Sequence, residues 1–273
     1  MMASRTQLLP PSAALAPFVQ AIAVRRPSAH GPALPALQCF PANGLGALTV
    51  LHRGDWVDAD TRRPMAELEL AGPRLQPARR SYGNDPAITT VLLRPGVLSW
   101  LFNSPASHWV NQRFALAEVL GSGVARALMS RLREASSTAA EVWLIEQQLH
   151  AWIEQAQTRL PWQAPPQIPT QAACVRDWAG CTDASVRQLQ RRITDTLGLP
   201  PKAQLRMARL HHSLAQLSQG RSLAEIAERC GFSHAGHLVR EFRALTGLSP
   251  AAVRRDLARH EGLPWLALNA QAS

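Results

Sequence analysis

Side chains that can donate hydrogen bonds to nucleic-acid bases recur along two short segments of the C-terminal half. In the first segment, Arg187, Gln190, Arg191 and Thr194 follow one another at steps of three and one residues, so a helix would place them on one face. In the major groove, arginine pairs with guanine and glutamine with adenine, and all three residue types can also bind phosphate. A polar face that contacts only solvent is the alternative interpretation, and it suits many amphipathic helices.

The second segment carries a poorer set of donors. Its outer face would consist of His234, Ala235, Gly236, His237, Arg240 and Arg243. Two of these residues are too short to reach far into a groove, whereas the two arginines can bind phosphate, which sets register without reading sequence. We therefore expect base reading mainly from the first segment. The two histidines are i, i+3 neighbours, but no third ligand accompanies them, and we predict neither a metal nor a cofactor.

Both segments belong to an internal repeat with an offset of 49 residues. The repeat pairs Leu189 with Leu238, Arg191 with Arg240, Ile193 with Phe242, Gly198-Leu199 with Gly247-Leu248, Pro201 with Pro250 and Arg206 with Arg255. Each copy predicts a helix that ends at a glycine able to adopt the left-handed conformation, with a proline soon after it. The repeat makes contact with DNA the favoured interpretation of both polar faces.

Upstream of the second copy, residues 222–232 have the sequence SLAEIAERCGF. Their apolar residues fall at i, i+3, i+4 and i+7, and Ser222 with Glu225 matches a capping box at the start of a short helix. Gly231 would make a sharp turn, and Phe232 would pack inward. A short helix, a glycine turn and a second helix form the helix-turn-helix pattern.

The first copy shows the same order less regularly. A short helix, ACVRDWAG, has Val175 and Trp178 as core candidates, and the turn is GCTD. The predicted core stripe of its second helix is Val186, Leu189, Ile193 and Leu197. Between the copies a long helix is predicted from the stripe Ala203, Met207, Leu210, Leu214 and Leu217. Such a helix would hold two recognition helices about one DNA turn, roughly 34 Å, apart.

The N-terminal half has a different pattern. Residues 1–115 contain short apolar runs separated by glycine and proline, which predict strands: LQCFP, GALTVLHRG, MAELELAGP and ITTVLLRPG. Residues 116–158 predict two amphipathic helices, with the stripes Leu116, Val119, Leu120, Val124, Leu128, Leu132 and Val142, Ile145, Leu149, Trp152, Ile153. Gly121 and Gly123 weaken the first helix, and Ser137 or Thr138 would cap the second. The pair could form a dimer surface or cover a sheet.

These patterns predict an α+β protein of two domains. The expected division is a β-rich sensor or dimerisation domain at 1–160, a proline-rich linker at 161–169, an all-α DNA-binding domain at 170–262 and a tail at 263–273. The linker is identified by four prolines, which remove backbone donors and favour extended conformations.

Composition agrees with a polyanionic partner. The chain has 273 residues and a formal net charge of +10, and Lys202 is its only lysine, so arginine carries the excess. An arginine-rich coding bias is the alternative.

The four cysteines have no zinc-like spacing, and we expect buried thiols. With no signal peptide or membrane span in the sequence, we expect a cytoplasmic protein associated with the nucleoid.

The C-terminal segments resemble the AraC/XylS class of bacterial transcription regulators over residues 170–258. The motifs that carry the resemblance are AEIAERCGFSHAGHLVREFRALTGLSP and SVRQLQRRITDTLGLPPKAQLRMARL. The resemblance implies about seven helices and base-reading positions at Arg187, Gln190, Arg191, Gly236, His237 and Arg240. His234 replaces the aspartate or serine that usually caps the second recognition helix, and we expect Ser233 to take over that cap.

The N-terminal half resembles the sensor domains of the same class more loosely, over residues 10–155, through the segment LLRPGVLSWLFNSP. Candidate pocket residues are Trp56, Trp100, Phe102, Trp109 and His52, although core positions suit them equally. The function expected is sequence-specific DNA binding, as activator or repressor, under the control of a small-molecule effector.

Several alternatives remain open from the sequence. Control could come from a partner protein or from the abundance of the chain, without an effector. Double-stranded DNA is the expected partner, with a homodimer through 116–158 and RNA polymerase as further partners, the latter if the chain activates transcription. An enzyme domain fused to a DNA-binding module is a remote alternative, because GxSxG, P-loop, HExxH and GxGxxG motifs are all absent.

Overall fold

The computed structural model describes residues 6–26, 37–82, 86–169, 172 and 174–258. Within these residues the chain forms an N-terminal unit of two antiparallel sheets with helices, followed by a C-terminal unit built only of helices. The α+β class predicted from the sequence is confirmed. The predicted tail, 263–273, lies outside the described residues.

The N-terminal unit contains nine described strands in two sheets. The strands are β1 Thr6–Leu9, β2 Val19–Arg25, β3 Leu37–Phe40, β4 Gly46–Arg53, β5 Trp56–Asp58, β6 Leu68–Ala71, β7 Ala78–Tyr82, β8 Ala87–Leu93 and β9 Arg113–Ala115. The larger sheet has the order β1-β2-β8-β4-β6-β9, and the smaller has the order β3-β7-β5. All four apolar runs that predicted strands contribute one, namely β3, β4, β6 and β8.

Strands β4 and β8 lie at the centre of the larger sheet and are buried on both faces. Alternation along them sends Leu48 and Val91 into a core shared with the helices. The opposite face carries Leu51 and Ile88, which pack against the smaller sheet. Burial on both sides explains why these strands are rich in β-branched and leucine residues without a regular polar alternation.

Five helices complete the N-terminal unit in the described residues. They are α1 Val97–Leu101, α2 Ala106–Trp109, α3 Leu116–Leu120, α4 Ser122–Arg133 and α5 Thr138–Arg159. The prediction of one helix through the first stripe is wrong, because Gly121 adopts φ +88° and ends α3. The chain changes direction there, and Val124, predicted to be on the apolar stripe, is 42% exposed. Ser137 caps α5, accepting a hydrogen bond from the Ala140 nitrogen at 3.1 Å.

The inner face of α5 carries a buried carboxylate. Glu141 is bonded by Arg26 and Thr89, and its Oε1 lies 2.9 Å from His52 Nε2. Burial alone would raise the pKa of Glu141, but the bonds from His52 and Thr89 and the charge of Arg26 outweigh it and lower that pKa. This cluster fastens α5 to the sheet. His52, a candidate pocket residue, belongs to it.

The C-terminal unit has six helices in the described residues, against about seven implied by the resemblance. They are α6 Val175–Gly180, α7 Val186–Leu197, α8 Pro201–Ser218, α9 Leu223–Arg229, α10 Ala235–Thr246 and α11 Pro250–Ala258. Helices α7 and α10 have 12 residues each and begin 49 residues apart, as the repeat predicts. Both end at a left-handed glycine with φ 74°, Gly198 and Gly247.

Packing inside each helix-turn-helix unit follows the predicted stripes with one exception. Leu189, Ile193 and Leu197 are buried against Trp178 in the first unit. Val186, assigned to the same stripe, is wrong as a core residue: it is the first residue of α7 and is 38% exposed. All five predicted core residues of the long helix α8 are buried.

The N-terminal unit contacts the C-terminal unit at the ends of α7 and α10. These are the second helices of the two helix-turn-helix motifs, called the recognition helices below. At the end of α7, a methyl group on Gly198 would lie 2.5 Å from the Ala106 carbonyl oxygen, so α2 packs directly on that glycine. At the end of α10, the Leu245 carbonyl oxygen accepts a hydrogen bond of 2.7 Å from the Ala42 nitrogen. Ala42 is fully buried in the core of the second helix-turn-helix unit. No described helix is long and apolar enough to cross a membrane.

Candidate nucleic-acid interface and ligand cavity

The outer face of α7 carries the predicted donors. Ser185 caps the helix by accepting from the Gln188 nitrogen at 3.3 Å, while Gln188 Oε1 accepts from the Ser185 nitrogen at 2.8 Å. Sequence reasoning missed this capping box, although its signal, S-x-x-Q, is present. Arg187, Gln190 and Arg191 are exposed, and Thr194 is half-buried. None of these four side chains has a hydrogen bond or ion pair in the described part of the chain, so their polar groups are free to bind a partner.

Helix α10 presents fewer long donors. Arg240 and Arg243 are exposed, and His237 is half-buried with its ring edge against Phe232 at 5.4 Å. At the position equivalent to Arg187 the repeat has Gly236, which offers no side chain. The exposed donors of α10 are therefore its two arginines, and this face offers fewer long donors than the face of α7.

The cap of α10 differs from the expectation. His234, and not Ser233, is the N-cap residue, because its Nδ1 accepts a hydrogen bond of 3.1 Å from the His237 nitrogen. The Ser233 hydroxyl instead lies 3.2 Å from His237 Nδ1. The imidazole can replace a carboxylate or hydroxyl because it offers one unprotonated nitrogen at a similar reach. The ring of His234 is thus occupied by the helix end.

The same cap explains the glycine beside it. A methyl group on Gly236 would lie 3.1 Å from His234 Nδ1, so a side chain there would press on the capping ring. A glycine at 236 therefore leaves the room that the His234 ring needs in order to cap the helix. In the first unit, where the smaller Ser185 is the cap, the equivalent position accepts Arg187.

Helices α8 and α10 are joined by a bidentate ion pair. Arg206 donates from Nε to Glu241 Oε2 at 2.9 Å and from a terminal nitrogen to Oε1 at 3.1 Å. This arrangement fixes the second recognition helix on the connecting helix, since the two parallel bonds restrict rotation. Arg206 belongs to the repeat, and its role was not predicted.

Cysteine and histidine placement gives no metal centre. Cys230 is buried in the second unit, but Cys174 and Cys181 are exposed, so the expectation of buried thiols is wrong for them. They flank α6 as its N-cap and C-cap residues, where the chain lies at the surface. The described residues contain no group of three or more ligands able to hold a metal.

A cavity of about 90 Å³ lies between the two sheets of the N-terminal unit. Its apolar wall includes Phe40 and Trp56, whose rings stack with centroids 6.3 Å apart. Of the candidate pocket residues only Trp56 lines this cavity. Trp109 is buried in the main core, and Trp100 and Phe102 pack against that core.

Charged residues surround one end of the cavity. Arg80 pairs with Asp58 at 2.7 Å, and Arg113 lies 3.2 Å from both Asp58 and Glu69. Arg74 also lines the cavity, and its guanidinium has no hydrogen bond or ion pair in the described part of the chain. Burial lowers the pKa of Arg74 to about 10, which leaves it charged at neutral pH. Sequence reasoning missed this cluster, because strands distant in sequence assemble it.

Comparisons with solved structures give low similarity over most of the chain. ToxT from Vibrio cholerae O395, bound to (E)-4-(8-methylnaphthalen-1-yl)but-3-enoic acid, is 12% identical with a TM-score of 0.44, over 82% of this chain and 96% of that one. Wild-type ToxT from Vibrio cholerae strain SCE256, bound to an unsaturated fatty acid, is 10% identical with a TM-score of 0.40, over 80% of this chain and 94% of that one. The AraC-like transcriptional activator CuxR is 14% identical with a TM-score of 0.23, over 97% of this chain and 91% of that one. No curated protein matches the chain in sequence.

The family comparison concerns the C-terminal unit. Residues 178–256 match the family model described as a helix-turn-helix domain. This range begins at the core tryptophan of α6 and ends within α11, so it takes in both copies of the repeat and the long helix between them. The C-terminal unit, with its two repeats joined by α8, is therefore a helix-turn-helix domain by its sequence match and by the order of its helices.

Proposed function

We propose that the chain binds one double-stranded operator with both helix-turn-helix units, reading bases mainly with α7 and holding phosphates mainly with α10. The observation that carries this proposal is the difference between the equivalent faces. Arg187, Gln190 and Arg191 project from α7, whereas α10 offers Gly236 at the first of these positions and retains Arg240 at the last. Base-edge contacts specify sequence and phosphate contacts set register, so the two units contribute differently.

Binding-site selection from random DNA with the full chain tests this division. Arg191→Ala should relax the base preference at one or two positions and weaken the selected site by about 1–3 kcal/mol. Arg240→Ala should weaken binding to all DNA sequences alike and should reduce the slope of log affinity against log salt concentration by about one. Arg53→Ala, an exposed arginine of the N-terminal unit, is the control for loss of charge. The reverse pattern in the two variants would contradict the proposal.

We also propose that a small-molecule effector in the cavity controls DNA binding. The support is the position of residues 40–45, because this segment supplies part of the cavity wall and also contacts α10 through Ala42. An effector that shifts this segment would act on the second recognition helix. Control by a partner protein or by abundance would instead leave DNA affinity independent of any compound that raises the melting temperature of the full chain.

A further proposal concerns assembly. The outer faces of α4 and α5 expose Val124 (42%) and Trp143 (57%), which favours a second copy of this chain as the partner for these helices. Sedimentation velocity should show a dimer, and Trp143→Ser should shift it toward monomer. A wild-type monomer at tens of micromolar would contradict this assembly.

A further inference from the structure

The first turn of α10 uses its long side chains for contacts within the protein. In helix-turn-helix units this turn of the recognition helix is the part that contacts base edges in the major groove. Here His234 Nδ1 accepts a hydrogen bond of 3.1 Å from the His237 nitrogen. The Ser233 hydroxyl lies 3.2 Å from His237 Nδ1, and the His237 ring meets Phe232 edge-on with centroids 5.4 Å apart. Both imidazoles of this turn are therefore engaged by their own helix and turn.

The equivalent turn of α7 has the opposite arrangement. Ser185 caps that helix with a small hydroxyl group, and Arg187, two residues further on, is exposed. The 49-residue offset of the repeat aligns Ser185 with His234 and Arg187 with Gly236. A small cap thus occurs with a long donor in one copy, and a large cap occurs with no side chain in the other.

The distances around Gly236 give the physical reason for this pairing. A Cβ added there would lie 3.1 Å from Nδ1 and 3.2 Å from Cε1 of His234, closer than the optimal separation of about 3.5–4.0 Å. The ring cannot move away without lengthening the hydrogen bond that caps the helix. Gly236 lies within α10 and is not among the glycines with positive φ, so its backbone would accept any residue. The capping ring, and not the backbone, therefore requires glycine at this position.

We propose that His234 determines how much sequence the second helix-turn-helix unit can read, because its ring caps α10 and excludes a base-reading side chain at position 236. This inference rests on the proposed division between α7 and α10, and it names the residue that produces that division. His234 acts through the space at 236, so it is a positioning residue. A serine at 234 with an arginine at 236 would reproduce the arrangement of α7.

Binding-site selection with the full chain tests the role of His234. The variants are His234→Ser, Gly236→Arg and the double variant that combines them. The double variant should gain a preference of about 10-fold for one base, guanine, at one position of the half-site that α10 contacts, since arginine forms two hydrogen bonds with guanine. A single position is expected because Val239 stands where α7 has Gln190.

Gly236→Arg is the matched control, because it adds the same charge while the imidazole cap stays in place. It should strengthen binding to all DNA sequences but gain a base preference of less than about 3-fold. His234→Ser alone should gain no preference. An equal gain in Gly236→Arg and the double variant would overturn the proposal, and so would a double variant with wild-type circular dichroism and no new preference.

The reverse exchange in α7 provides a second measurement. Ser185→His should crowd Arg187 and lower, by about 10-fold, the preference at the base position that Arg187→Gly identifies. Ser185→Ala removes the cap without adding a ring, so it should lower stability and keep that preference. If the double variant in α10 does not fold, Ser185→His still decides. An unchanged preference in Ser185→His, or an equal loss in Ser185→Ala, would contradict the role of the imidazole.

The failure of this inference can be separated from the failure of the proposed function. Arg191→Ala and Arg240→Ala, made in the otherwise wild-type chain, test the division between α7 and α10 alone. If Arg240→Ala relaxes a base preference, the division itself is wrong, whatever the variants at 234 and 236 do. If the division holds and the double variant gains no preference, only the role of His234 is contradicted.

Discussion

The backbone nitrogen of Ala42 donates a hydrogen bond of 2.7 Å to the carbonyl oxygen of Leu245, in the last turn of the second recognition helix. The last carbonyl groups of a helix have no partner within the helix, so a donor from outside stabilises that end. Here the donor comes from the N-terminal unit. The link joins the cavity wall to α10 through one residue.

Enlarging Ala42 should break this link. Ala42→Leu adds three carbons at a fully buried position, and overpacking of this kind costs about 1–3 kcal/mol. We expect a lower urea midpoint and, because the units separate, DNA affinity that no longer responds to a cavity ligand. Ala14→Leu, at an exposed position in the turn before β2, is the control. An unchanged ligand response in Ala42→Leu would show that the link does not carry the coupling.

The two glycines that end the recognition helices should differ in their tolerance of a methyl group. Gly198 and Gly247 both have φ +74°, so alanine costs about 1–2 kcal/mol at either. At Gly198 the methyl would also lie 2.5 Å from the Ala106 carbonyl, whereas at Gly247 the nearest atom, on Pro77, is 3.5 Å away. Urea denaturation should therefore show a larger loss for Gly198→Ala. Equal losses would mean that α2 does not pack on α7.

The two helix caps provide another matched pair. His234→Ala and Ser185→Ala each remove the side chain that accepts from the third helical nitrogen, and each should cost about 1 kcal/mol. His234→Asp should restore or exceed wild-type stability, because aspartate is among the best capping residues. The free energy of unfolding measures all three. Full stability of His234→Ala would exclude the imidazole as the cap.

Glu141 should contribute a defined part of the acid sensitivity. Its pKa in the folded protein lies below that of an unfolded glutamate, about 4.3, so its stabilising effect is present above pH 4.3 and lost as the pH falls through the folded value. Glu141→Gln should be less stable at pH 7, by about 1–3 kcal/mol, and should lose less stability on acidification. Unfolding measured from pH 3 to 7 checks this.

The exposed Glu154 lies on the same helix and provides the control. Glu154→Gln should keep the stability and acid response of the wild type. An acid response of Glu141→Gln equal to that of the wild type would show that this carboxylate is not ionised in the folded state.

Local patterns predicted the C-terminal unit well. The repeat located α7 and α10 because each helix carries its own stripe, cap and terminating glycine within a short segment. The same reasoning placed four strands. It did not predict Arg74 in the cavity wall, because strands distant in sequence form that wall, or Glu141 in the buried cluster, because that cluster depends on how α5 packs on the sheet. It also overextended the helix at Gly121, where the backbone conformation overrode the apolar spacing.

The exposed face of α7 was predicted from residue type and spacing, whereas the cavity of the N-terminal unit was not. Arg187, Gln190 and Arg191 share one exposed face because α7 is regular. The cavity depends on how the two sheets approach each other, and neither the lining of its wall nor the unpaired state of Arg74 can be derived from spacing along a single strand.

Contact between the N-terminal unit and the ends of both recognition helices has a consequence for the operator. Because Gly198 lies against α2 and Leu245 bonds to Ala42, the separation of the two helices is fixed by a second connection in addition to α8. Inserting or deleting one base pair between the two half-sites should consequently be tolerated less by the full chain than by a variant, such as Ala42→Leu, in which that second connection is broken.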